Sequence, residues 1–105
     1  MKLVWGRYLI SILVDRIEKN SKDVAYLKKY SYRELGYMVR KKYEEIKGFG
    51  IDSDRSLYFF VLNSFCYPKL FKNEENILIL LNFSLLENEK IEIFQNLIAE
   101  NRGER

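Results

Sequence analysis

Between residues 28 and 47 the chain sets Lys28, Lys29, Arg33, Arg40, Lys41 and Lys47 among the tyrosines Tyr30 and Tyr37. Cations spaced along one face neutralise phosphates, and aromatic rings beside them stack on bases without demanding a particular sequence. This is the chemistry of nucleic-acid backbone binding. The opposing reading is an ordinary solvated helix face. Glu34, Glu44 and Glu45 lie three or four residues from the bases and neutralise part of the patch.

Other chemistries find little footing. The chain has no histidine, so the usual general base and commonest metal ligand is missing, and Ser–His or Cys–His nucleophiles are excluded. Cys66 stands between Phe65 and Tyr67, the setting of a small buried residue. It has no partner for an internal disulfide. Asp52 and Asp54 are the nearest approach to a calcium loop and read better as helix-start residues. Gly48-Phe49-Gly50 lacks the Lys-Ser/Thr of a phosphate loop. The expectation is a non-enzymatic protein with no cofactor and no metal.

Charge is also divided along the chain. Residues 1–72 hold fifteen Lys and Arg against eight Asp and Glu; residues 73–105 hold three against seven. A basic front and an acidic C-terminal segment suit docking on a partner protein or on a second copy. Sixteen aromatic residues add to this, because tyrosine is favoured at interfaces. Tyr26, Tyr30, Tyr37 and Tyr67 fall off the expected core stripes and are the candidates for such contacts. The first expected partner is therefore nucleic acid, and the alternative is a protein partner or self-association.

At 105 residues the length fits a single domain, 1–105, and 48% apolar residues suffice for a core. Five glycines and the lone Pro68 argue against a many-turned β fold. The apolar run 3–14 resembles a signal sequence at first. Arg7 interrupts it, Asp15 and Arg16 end it, and it is too short to span a bilayer, so a core helix and no membrane association are expected. With one cysteine, the default location is the cytoplasm. Abundant Lys and Glu without His suit a thermophilic source, although AT-rich coding gives the same bias.

The elements that must position the basic residues read as helices. The first spans about 3–19, with Arg7, Ser11, Asp15 and Glu18 on a narrow polar stripe and apolar residues over the remaining girth, which predicts burial on several sides. Asn20 and Ser21 break it, and 23–30 is a short helix or an irregular connection. Ser31 and Glu34 form a capping box. Behind it Tyr32, Leu35, Val39, Tyr43 and Ile46 make an inner stripe, and Gly48 and Gly50 stop the helix. Gly36 inside it suggests a close helix contact. Ser53 caps a third helix to about Cys66, ended by Pro68.

The apolar run 77–81 suits a strand or a buried helix equally, and Asn73-Glu74-Glu75 before it tips the reading to helix. Ser84 and Glu87 read as a second capping box, opening a last helix to about 101 with Ile91, Phe94 and Ile98 inward and a frayed end. The fold class is all-α, a compact bundle of four to five helices. The alternative is α+β, with 57–62 and 76–83 paired in a small sheet.

Overall fold

The computed structural model describes residues 2–19, 27 and 29–103. Among the described residues five α-helices follow one another: α1 Lys2–Lys19, α2 Tyr32–Gly48, α3 Asp54–Cys66, α4 Glu74–Leu81 and α5 Glu87–Gly103. No strand occurs among the described residues, so the sheet of 57–62 with 76–83 is not formed. The backbone fills a slab of 40 × 37 × 19 Å, about two helices thick.

α3 is the inner helix. It packs against α1, α2 and α5, and α1 also packs on α2. Leu57, Phe60 and Val61 of α3 are fully buried, with Ser56 and Ser64 beside them. The Ser64 hydroxyl is satisfied by donating to the Val61 carbonyl at 2.6 Å. The Phe60 ring meets Phe94 of α5 edge-on at 5.2 Å, and Phe71 from the turn after α3 at 6.4 Å. Such edge-to-face pairs add about 0.5–1.5 kcal/mol each beyond the area they bury.

The outer helices each contribute one stripe. α1 buries Leu9, Leu13, Val14 and Ile17, while Ile12 is exposed. α1 packs on both α2 and α3, so its expected burial on several sides is met in part, with Ile12 the exposed exception among the described apolar side chains. Ser11 and Asp15 of the polar stripe are exposed; Arg7 and Glu18 lie outside the described side chains, and 20–26 outside the described residues. α2 buries Leu35, Val39 and Ile46 as expected. Tyr32 from the same stripe is 52% exposed. It is the first residue of the helix, and side chains lean toward the helix N-terminus, so its ring projects past the packed body.

α4 corrects the reading of 77–81 as an inner segment. Asn73 caps it, accepting from the Glu75 and Asn76 backbone N–H groups at 2.9 and 3.4 Å. Asn76 in turn donates to the Leu70 carbonyl at 2.9 Å. Asn76 and Leu80 face inward; Leu78 and Leu81 face out. Tyr67 is corrected in the opposite direction, being buried as the C-cap of α3. The turn after α3 carries its ring inside.

The second capping box is corrected as well. α5 starts at Glu87, and the Leu86 N–H donates to Glu89 Oε1 at 3.0 Å. The Ser84 N–H donates instead to Asn82 Oδ1 at 2.9 Å. Glu87 is used elsewhere. Its carboxylate accepts from the Asp52 and Ser53 N–H groups at 3.3 and 3.2 Å and from the Ser53 hydroxyl at 2.8 Å. Three donors at the N-terminus of α3 outcompete a single N–H of its own turn. One acidic side chain thus ties the starts of α3 and α5 together. α5 remains helical through Gly103, the stretch expected to fray; Glu104 and Arg105 lie outside the described residues.

Lys90 completes the packing of α5. It is 3% exposed, and its Nζ donates to the Leu80 carbonyl at 2.7 Å, closing the C-terminal turn of α4. Here a cation meets the negative end of a helix.

Partial burial pushes the Glu87 carboxyl upward, but hydrogen bonds from Ser56, Ser53 and Asp52 outweigh this and hold it below its ordinary value of 4.5. The folded group therefore contributes stability that is complete above that value and is lost as pH falls through the lowered one. Glu87→Gln is expected to cost about 1.5 kcal/mol near neutrality, the worth of a charge-assisted bond. Its melting temperature should converge on that of the natural chain as pH drops below 4.5. Thermal melts of both proteins across this range check it.

Candidate nucleic-acid interface

The capping box at the start of α2 forms as its spacing predicts. The Glu34 N–H donates to Ser31 Oγ at 3.2 Å, and the Ser31 N–H donates to Glu34 Oε1 at 3.1 Å. The Ser31 backbone bond, helped by its hydroxyl, lowers the Glu34 carboxyl below its ordinary range. At the other end the Phe49 N–H closes on Ile46 and Lys47 carbonyls, and Gly50 turns the chain at φ +91°. Only glycine accepts that conformation readily, and the Phe83 ring lies 3.3 Å from where a Cβ would stand.

With Leu35, Val39 and Ile46 pointing inward, the opposite face is fixed. Arg33, Tyr37, Arg40, Glu44 and Lys47 recur at steps of four and three, with Lys41 beside them. All six are exposed, Tyr37 at 69%. From Arg33 to Lys47 the stripe is about 21 Å long at the helical rise. Lys29 stands just before α2 on a turn, with its Nζ 5.2 Å from the centre of the Tyr30 ring. Lys47 sits 5.8 Å over the Tyr43 ring. Burial, together with nearby Asp54 and Asp52, raises the Tyr43 phenol, so it stays neutral beneath that cation. Lys28 and Tyr26 lie outside the described residues. The structure thus brings Arg33, Tyr37, Arg40, Lys41 and Lys47 onto one face and sets Lys29 off its N-terminal end.

The acids around this face are engaged unequally. Glu34 is held by the cap. Glu45 pairs with half-buried Lys42 at 3.1 Å, away from the stripe. Glu44 alone pairs with a member of the stripe, Arg40, at 3.7 Å, and both groups are exposed. An exposed pair of this kind is worth at most about 1 kcal/mol and yields readily to a phosphate. Arg33 and Lys41 have no ion-pair partner among the described residues.

Two surface features escape the sequence reading. Leu78, Leu81, Phe83 and Leu86 are exposed, at 64, 39, 87 and 70%. Lys90 is buried, although its place one turn before Phe94 on the inner stripe could have signalled that. Among the described residues no group of three or more Cys, Asp or Glu is placed to hold a metal, and no helix is long and apolar enough to cross a membrane. No protein-family model matches the chain, and no curated protein or solved structure matches it.

Gly36 makes no close helix contact: a Cβ there would meet nothing within 4 Å. Gly36→Ala is therefore expected to stabilise the protein by about 1 kcal/mol through helix propensity alone. Urea denaturation checks this, and a loss of stability would mean that the glycine serves a contact.

Proposed function

We propose that this chain binds the phosphate backbone of nucleic acids through the outer face of α2, without catalysis and with little regard to base sequence. The observation that carries the reading is the alignment of Arg33, Arg40, Lys41 and Lys47 around exposed Tyr37 on one stably capped helix. The cations supply phosphate contacts; the tyrosine supplies a ring on which an unpaired base can stack. Lys29 extends the track beyond the helix start, and the neighbouring Lys28 is assigned to it from sequence.

The apolar helix α3 is a poor rival for this role. α3 packs against α1, α2 and α5, and beyond its first turn the partly exposed remainder, Tyr58, Phe59, Leu62 and Asn63, carries no cation to meet a phosphate. α2 carries no Asn or Gln to read adenine, and its Arg and Lys at three- and four-residue steps are spaced to follow a backbone.

The test is fluorescence anisotropy with random-sequence DNA and RNA, single- and double-stranded, over a range of salt. Six phosphate contacts predict a slope of log affinity against log salt of about −4.2 on single strands and −5.4 on duplex DNA. Replacing Arg33, Arg40 and Lys41 by Glu removes three of them and should flatten the slope by about 2 to 3 units. The variant should melt within about 0.5 kcal/mol of the natural chain, because the positions are exposed. A folded triple variant with unchanged affinity and slope overturns the assignment.

A further inference from the structure

α4 and the turn behind it carry a second surface that the nucleic-acid reading does not use. Glu74, Glu75, Leu78 and Leu81 share the face of α4 turned away from Asn76 and Leu80. Phe83 and Leu86 continue the exposed apolar residues to the start of α5, where exposed Glu89 and Glu92 follow. The one base in 73–100 is Lys90, and its cation is buried against the Leu80 carbonyl. The surface is therefore apolar with Glu74, Glu75, Glu89 and Glu92 beside it, and exposed Lys69 and Lys72 stand only in the turn that leads into α4. Exposed apolar groups gathered like this mark interaction sites more often than ordinary surface.

Its charge specifies the occupant: a cationic surface with exposed rings. The outer face of α2 is such a surface, with Arg33, Arg40, Lys41 and Tyr37 all exposed, and Tyr32 free at its end. The two surfaces adjoin at one corner of the molecule, where the Phe83 ring lies against Gly50 in the turn that follows α2. We propose that two copies of this chain pair reciprocally, the acid-flanked apolar surface of each seated on the basic, tyrosine-bearing face of α2 of the other. Reciprocal contacts close a two-fold dimer and leave no surface open for a growing filament. The apolar side chains lose water on pairing, and opposite charges select the register.

This inference does not rest on nucleic-acid binding. Where both hold, the second copy and the nucleic acid compete for α2.

The experiment is multi-angle light scattering on nuclease-treated protein freed of nucleic acid, so that failure of either reading shows separately. The natural chain should scatter as a dimer and halve in mass as salt is raised. Arg33→Glu, Arg40→Glu and Lys41→Glu together make both surfaces acidic; Glu74→Lys, Glu75→Lys and Glu92→Lys together make both basic. Each triple variant alone should be a monomer, and an equimolar mixture should regain the dimer mass, because every contact again joins opposite charges. If the Lys variant fails to fold, Leu78→Gln, Phe83→Ser and Leu86→Gln together should give a folded monomer. A monomeric natural chain at the highest attainable concentration overturns the proposal. So does a dimer that survives either charge reversal or the apolar-to-polar change.

Discussion

Burial of α3 is the constraint on which the rest of the structure depends. α3 packs against three others, α1, α2 and α5, and a helix so placed must be apolar over most of its girth. Leu57-Tyr-Phe-Phe-Val-Leu62 is the run that meets this demand. Phe60 sits at its centre, and the ring of Phe94 and the turn carrying Phe71 close over it. Once α3 is inside, α1 and α2 can cover it only with their narrow stripes. Half of α2 is thereby committed to packing, and its other half to solvent. The basic face is thus a consequence of how the core is filled.

The polar ties follow the same logic. Each end of a helix brought near the core leaves backbone groups that need partners. Ser31 and Glu34 satisfy the start of α2 locally. The start of α3 is reached from a distance by Glu87, and the end of α4 by Lys90. These two polar ties add to the burial of Phe94, Ile91 and Leu80 in fixing α5 and α4, while α4 presents Leu78 and Leu81 outward.

What was legible in the sequence follows from this division. The capping box at Ser31, the stripe Leu35–Val39–Ile46 and the glycine stop depend on neighbours in the chain, so spacing alone places them, and the candidate face with them. The Ser84 box has the same local pattern as the Ser31 box but fails, because Glu87 finds better donors across the fold; no local pattern carries that information. The run 77–81 has no period, since every residue is apolar. Only the packing shows that Leu80 is the buried member and that Leu78 and Leu81 are not. Tyr67 and Tyr32 exchange their expected positions because both stand at helix ends, where a stripe no longer predicts direction.

Two surfaces of opposite charge therefore emerge from one small core, and the central claim concerns the basic one. The most direct measurement is a titration of isotopically labelled protein with a short random oligonucleotide, followed by backbone amide chemical shifts. The account predicts that the largest shifts fall on Arg33, Tyr37, Arg40, Lys41 and Lys47, with Lys29 at the edge, and that the inward residues Leu35, Val39 and Ile46 move little. Shifts that leave α2 unmoved and gather on α4 or α5, or no shifts at all at low salt, would contradict it.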